Sequence, residues 1–294
     1  MSKIHWTDET INPVVGCSKV SAGCQNCYAE NMARRLAAMG RQQYKDVTCC
    51  GTWHGNTAFV PSELEKPRKW KQPRTIFISS MGDLFHDTVN IKWQLAVMDM
   101  VAAMPHHTFI MLTKRPVNMK LLIDAWVAEA GGYLSNLVLG VSAEDQETAD
   151  ARIRVLLQIP AAKRFVSLEP MIGPVDLYRG GWSFLNALHP PAGNKTGWKQ
   201  GLDGVILGGE SGPKARPLDP AWVRLVRDQC AGTAFMFKQW GEWLPTECDD
   251  HPGYKGKHQF VNGVHFYKVG TSRAGNLLDG HTHTELAWKT KKTP

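Results

Sequence analysis

Short apolar runs rich in β-branched and aromatic residues alternate along the chain with longer stretches whose apolar positions recur every three to four residues. The first pattern predicts strands and the second amphipathic helices. Strands are expected at 75–80, 108–113, 137–142, 164–168, 204–207 and 234–238, with a weaker first strand at 12–16. Helices are expected at 28–39, 92–103, 117–130, 145–158 and 221–231. Strands that are apolar throughout, each followed by a helix, imply an α/β fold in which helices cover a parallel sheet. The near-uniform spacing of the first five units favours a partial or closed parallel (β/α) barrel over residues 1–240. A doubly wound open sheet is the competing arrangement, and periodicity alone does not separate the two.

Two segments break the rhythm. Residues 43–71 have little helical period, and the run 57–60 suits half of a small hairpin. Residues 177–201, rich in Gly, Pro, Asn and Trp, form a second long excursion. Long connections of this kind in compact domains often cover or feed a site. Beyond Gly241 the alternation stops, which predicts a loop-rich C-terminal extension over 241–294, with a hairpin, packed on the barrel.

Composition narrows the class. The chain has 294 residues, 43% apolar and 21% charged, ordinary globular values that exclude wholesale disorder. No apolar run approaches the ~18–20 residues that cross a bilayer, and the first residues lack the apolar stretch of a secretory signal. The expectation is therefore a cytoplasmic protein without a membrane partner. Seven cysteines, an odd number without a signal, point to thiol or metal chemistry and away from a disulfide framework. A net charge of +7 permits a polyanionic partner without requiring one.

In a parallel barrel the loops that follow the strands carry the chemistry. Here the strands run into Cys17, Met81-Gly82-Asp83, Lys114-Arg115, Ser142-Ala143-Glu144, Glu169-Pro170, Gly208-Gly209-Glu210 and Lys238-Gln239-Trp240. Any one of these reads equally well as a solvated loop, and for each acid the plain alternative is an ion pair with a neighbouring Lys or Arg. Their recurrence at successive strand ends argues for a site. The GGESG step at 208–212 is not a dinucleotide fingerprint, because it lacks the G-x-G-x-x-G spacing. Its glycines suit either a close backbone approach to a ligand or a tight turn.

The sharpest signal is GCSKVSAGCQNCYAE at 16–30, with three thiols in one loop just before a helix. Thiolates suit zinc or an iron–sulfur cluster. A structural zinc site wants four protein ligands, and no fourth Cys or His stands at a conventional distance. Cys49 and Cys50 are poor fourth ligands, and with Cys230 and Cys248 they read as structural. Three cysteines alone would leave a [4Fe–4S] cluster with one iron free for a substrate or cofactor.

This loop after the first strand of a partial barrel resembles the radical S-adenosylmethionine (SAM) enzymes. Most of that superfamily uses C-x3-C-x2-C with an aromatic before the last cysteine, whereas this chain has C-x6-C-x2-C and Tyr28 after it. The variant loop, together with VPSELEKPRKWKQPRTIFISSMGDLFHD, FIMLTKRP, LGVSAED, RFVSLEPMIGPVDL, GVILGGESGPKARP and FKQWGEW, resembles a phage- and prophage-encoded radical SAM family. That family includes an isomerase of thymidine hypermodification, which converts 5-Nα-glycinylthymidine to 5-Cα-glycinylthymidine in phage DNA. The resemblance implies a [4Fe–4S] cluster on Cys17, Cys24 and Cys27, with SAM as second cofactor. A 5′-deoxyadenosyl radical would take hydrogen from the glycyl α-carbon, and an external reductant of flavodoxin or ferredoxin type would supply the electron. It further implies that Ser79, Ser80 and Asp83 hold the SAM amine and that Ser142 and Glu144 hold the ribose. Lys114 or Arg115 would take a carboxylate, and Glu169 and Glu210 an ammonium or hydroxyl. The chain is expected to act as a monomer in the host cytoplasm.

Lys66–Arg74 gathers five basic groups around a tryptophan, so Arg68, Lys69, Trp70 and Lys71 are expected to meet DNA carrying the modified thymidine. Runs of this kind are more often solvated surface. His86 is a weak further candidate. The rival readings are a radical SAM lesion-repair enzyme of the spore photoproduct lyase kind and a non-catalytic zinc-bearing nucleic-acid-binding module.

Overall fold

The computed structural model describes residues 4–179, 182–183, 201–246 and 256–289. Seven strands form one parallel sheet: β1 (Glu9–Ile11), β2 (Thr75–Ile78), β3 (Thr108–Thr113), β4 (Leu137–Ser142), β5 (Lys163–Leu168), β6 (Gly204–Gly208) and β7 (Ala234–Gln239). They lie in that order across the sheet, each beside its predecessor. A doubly wound sheet reverses its strand order at a switch point; this one never does. β1 and β7 are its two edges, so the sheet is open and the topology is that of a partial (β/α) barrel. Register follows the predicted apolar runs, with Ile76 opposite Phe109, Ile110 opposite Val138 and Ile206 opposite Met236.

The helices fall within two residues of the periodicity: α1 (Tyr28–Ala38), α2 (Ile91–Ala102), α3 (Pro116–Ala130), α4 (Gln146–Leu156) and α5 (Pro220–Gln229). Their ends are chemically marked. The Asn90 side chain accepts from the Lys92 amide and Asp219 from the Ala221 amide, satisfying donors that a helix start leaves free. Pro116 and Pro220 open their helices where a missing N–H costs nothing.

The first strand differs from expectation. The sheet takes Glu9–Ile11, while Val14–Val15 pairs antiparallel with Ala58–Phe59. Pro13 separates the two pieces, and a residue without an N–H cannot continue a ladder. Within 43–71 there is more order than the pattern suggests: a hairpin of Thr48–Cys49 and Thr52–Trp53, followed by 3-10 turns at Pro61–Glu65 and Pro67–Lys69.

Contacts divide the chain into two compact units, residues 1–141 with 152–165, and residues 142–151 with 166–294. In the first, Val15, Ala29, Ala33, Tyr44, Val47 and Met81 form a buried cluster beneath α1. In the second, Ala215, Trp243 and Phe266 cluster under a three-stranded antiparallel sheet of β8 (Trp243–Thr246), β9 (His258–Val261) and β10 (Val264–Lys268). The β9–β10 pair is the expected hairpin. Most of the 177–201 excursion and Cys248 lie outside the described residues.

Candidate cysteine-loop site

The cysteine loop is anchored to the end of β2. The Gly16 amide donates to the Met81 carbonyl at 3.2 Å, and the Asp83 amide donates to the Gly16 carbonyl at 3.3 Å. Gly16 has φ +96°, and an added Cβ would overlap the Asn56 carbonyl oxygen, so only glycine fits. After Cys17 the chain makes a 3-10 turn, Ala22–Cys24, and α1 begins directly after Cys27. Cys17, Cys24 and Cys27 are all free thiols and half-buried.

Arg115, two residues past the end of β3, reaches into this loop. It donates to Cys17 Sγ at 3.6 Å, to the Ser18 carbonyl at 3.1 Å, to Ser18 Oγ at 2.8 Å and to Asp83 Oδ2 at 3.0 Å. Asp83 also accepts from Thr113 Oγ1 at 2.8 Å and from the Phe85 amide at 3.0 Å. Burial acts to lower the Arg115 pKa, but Asp83 and Cys17 outweigh it and raise the value, so the guanidinium stays charged. Burial, reinforced by Asp83, pushes the Cys17 thiol up to about 11. His86 Nε2 lies 2.8 Å from Ser18 Oγ, and burial, then Arg115, lowers its pKa.

Ser80 Oγ donates to Asn12 Oδ1 at 3.2 Å, and the Ser80 carbonyl accepts from the Tyr28 hydroxyl at 2.8 Å. Ser79 differs from these neighbours. It is buried, has φ +62°, and its Oγ has no hydrogen-bond partner. A non-glycine residue in that region marks strain held by its surroundings, often at a functional site. Lys114 is half-buried.

Among the described residues no three His, Cys, Asp or Glu side chains converge as the ligands of a single ion. A cluster holds its thiolates farther apart than one ion does, and the donors here suit it: three soft, half-buried thiols on one loop, with a cation beside the first.

In the second unit the acids have partners of their own. Glu169 pairs with Lys238 at 2.9 Å and accepts from Ser167 Oγ. Glu210 accepts two bonds from the Arg216 guanidinium, at 2.9 and 2.7 Å, and one from the Arg216 amide. Glu144 is 0% exposed, and Ser142 is buried. Gly209 backs onto the Trp240 carbonyl with no room for a Cβ, so a close approach within the protein accounts for glycine there.

The family profile described as "Protein of unknown function (DUF5131)" matches residues 1–287. The chain belongs to the DUF5131 family. No curated protein matches it. Among solved structures, this DUF5131 chain is similar to spore photoproduct lyase complexed with dinucleoside spore photoproduct, at 11% identity and a TM-score of 0.38. That alignment covers 87% of this chain and 66% of the other, just under two thirds. A single-site cysteine-to-serine mutant of that lyase gives 13% identity and a TM-score of 0.39, covering 88% and 67%. A double mutant with bound AdoMet and dinucleoside spore photoproduct gives 11% and 0.38, covering 88% and 68%. So distant a likeness carries no argument about chemistry.

In the basic stretch, Arg68 lies 3.4 Å from Glu65, while Lys69 and Lys71 are exposed. Trp70 is half-buried, with Arg74 over its ring at 5.3 Å and His107 against its edge. One ring face is therefore already covered by a cation. Sequence reasoning offered Lys114 or Arg115 as the partner of a carboxylate and placed neither at the cysteine loop, which Arg115 enters. It also missed Asn12, Ser18 and Thr113. The available signal was Thr113, a hydroxyl closing the apolar run Phe109–Leu112, which needs a polar partner once buried.

Proposed function

We propose that this chain is a radical SAM enzyme, with a [4Fe–4S] cluster on Cys17, Cys24 and Cys27, acting on DNA that carries an amino-acid-modified thymidine. The observation that carries this reading is three half-buried, disulfide-free thiols on one short loop, the first of them held by Arg115. When bound, the cluster and SAM supply one-electron chemistry able to take hydrogen from carbon. The chain's own part is to bind, orient and shield. Cys17, Cys24 and Cys27 would hold the cluster through three thiolates, and SAM would be held beside it. Arg115 fixes Cys17 and Ser18 and screens the thiolate charge. Asp83 is committed to Arg115 and Thr113, so its part is to hold Arg115 in place. The amine of SAM then falls to the unpartnered Ser79 hydroxyl and to Ser80. Ser142 and Glu144 keep the ribose role, and Lys114 that of a carboxylate partner. Glu169 and Glu210 would have to share an ammonium or hydroxyl with the cations they already hold.

The proposed reaction converts 5-Nα-glycinylthymidine to 5-Cα-glycinylthymidine in DNA. The bond from nitrogen to the thymine methylene breaks, a bond from the α-carbon to that methylene forms, and the hydrogen count is unchanged. A base inside a duplex must leave the stack to react, and Arg68, Lys69 and Lys71 would neutralise phosphates beside it. An external reductant of flavodoxin or ferredoxin type supplies the electron, and the chain acts as a monomer.

The test is anaerobic reconstitution followed by incubation with SAM, reductant and glycinylated DNA, read by nucleoside mass spectrometry. The Cα isomer is expected. Unchanged nucleoside alongside active SAM cleavage would sink the substrate, and a colourless protein with stoichiometric zinc would sink the class. Cys17→Ala, Cys24→Ala and Cys27→Ala should each lose bound iron, while Cys49→Ala, Cys50→Ala and Cys230→Ala retain it.

A further inference from the structure

The hairpin of Thr48–Cys49 and Thr52–Trp53 pairs Cys49 with Thr52, so its two-residue loop is Cys50-Gly51. Both loop residues have positive φ, 52° and 83°, the signature of a type I′ turn, whose first position suits Asn, Asp or Gly. Another L-residue is held there against steric strain. Cys50 and Cys49 are also both exposed, although free cysteine is among the most buried residue types. Their sulfurs lie 3.5 Å apart in a hydrogen bond. A turn that favours Asn and a surface that favours polar side chains hold two thiols in contact instead, and packing gives no reason for either. The sequence reads these cysteines as structural; both lie on the surface and neither in a core.

The hairpin is not a loose tip. The Trp53 amide donates to Glu30 Oε1 on α1 at 3.0 Å, and the aliphatic stem of Arg34 lies against Gly51. The two thiols are thus held together on a supported turn that solvent reaches.

We propose that Cys49 and Cys50 form a thiol-modification site that reacts with low-molecular-weight disulfides and closes into a vicinal disulfide. One thiolate of the pair attacks one sulfur of the incoming disulfide and expels one thiolate, leaving a mixed disulfide on that cysteine. The neighbouring cysteine then loses its proton and attacks that sulfur, expelling the second thiolate. The two cysteines give up two electrons and two protons, and the small disulfide is reduced to two thiols. An S–S bond is about 2.05 Å long, so the sulfurs must close from 3.5 Å, with both side chains exposed to solvent.

The test uses the full-length protein, purified anaerobically, treated with oxidised glutathione, then alkylated and mapped by peptide mass. The peptide carrying Cys49 and Cys50 should lose two hydrogens and resist alkylation until reductant is added. Cys49→Ser should stop at a stable glutathione adduct on Cys50. Cys230, buried, with burial pushing its thiol up to about 12, should remain unalkylated and report that the chain stayed folded. Equal alkylation of Cys49 and Cys50 before and after oxidant would overturn the proposal, as would a wild-type chain that stops at the mixed disulfide.

Discussion

Replacing Arg115 with Met tests whether the cysteine loop is held by a buried ion pair. The Arg115 and Asp83 side chains are 8% and 7% exposed. Removing one partner of a buried pair strands the other charge, at about 3–5 kcal/mol. Asp83 keeps the Thr113 hydroxyl and the Phe85 amide as donors, which places the expected loss at the lower end. A loss of about 3 kcal/mol is a fall of roughly 150-fold in the folding equilibrium. Urea unfolding followed by tryptophan fluorescence reads it directly. Adding Asp83→Asn should recover part of the loss, because the stranded charge is gone, and the cycle should give a coupling of about 1–3 kcal/mol. Strictly additive single losses, or a loss under about 1 kcal/mol for Arg115→Met, would refute the claim that this pair holds the loop.

Three further outcomes are expected. Hydrogen bonds from Arg224 and Arg227 hold Asp279 down to about 2, below the ~3.9 of an unfolded aspartate. The stabilisation is therefore present above pH ~4 and lost as pH falls toward 2. Asp279→Asn should be the less stable protein at neutral pH, with the gap to wild type closing across that window; a gap constant down to about pH 2 would contradict this. Neutralising Arg68, Lys69 and Lys71 together should flatten the salt dependence of DNA binding, by nearly one unit of slope per lost phosphate contact, while SAM cleavage without DNA survives. An unaltered slope would make the stretch ordinary solvated surface. Gly16→Ala should destabilise by about 1–3 kcal/mol and lower iron loading together, since the strain falls on the residue before Cys17; wild-type stability would show that the loop relaxes freely.

Among the described residues, the alternation of apolar runs with helical periods determined six of the seven sheet strands and all five long helices by itself, because both patterns are local. It did not decide how the strands are ordered. Sequential neighbours and doubly wound neighbours share the same periodicity, and only the hydrogen bonds between strands distinguish them. The first strand was misplaced for a related reason: Val14–Val15 has the composition of a strand, but its partner is Ala58–Phe59 and not the sheet. At the site, the sequence alone identified the three cysteines, which one short loop contains. It did not identify Arg115 as their neighbour, because Cys17 and Arg115 are 98 positions apart and Lys114 is as basic. Nor did it separate carboxylates already holding cations, such as Glu169 and Glu210, from a hydroxyl like Ser79 that holds nothing. The contact of Cys49 with Cys50 was equally hidden, since adjacency does not bring two sulfurs together and the turn geometry does. Residue type and spacing are properties of the chain, whereas the partner of a charge and the direction of a side chain are properties of the packed state.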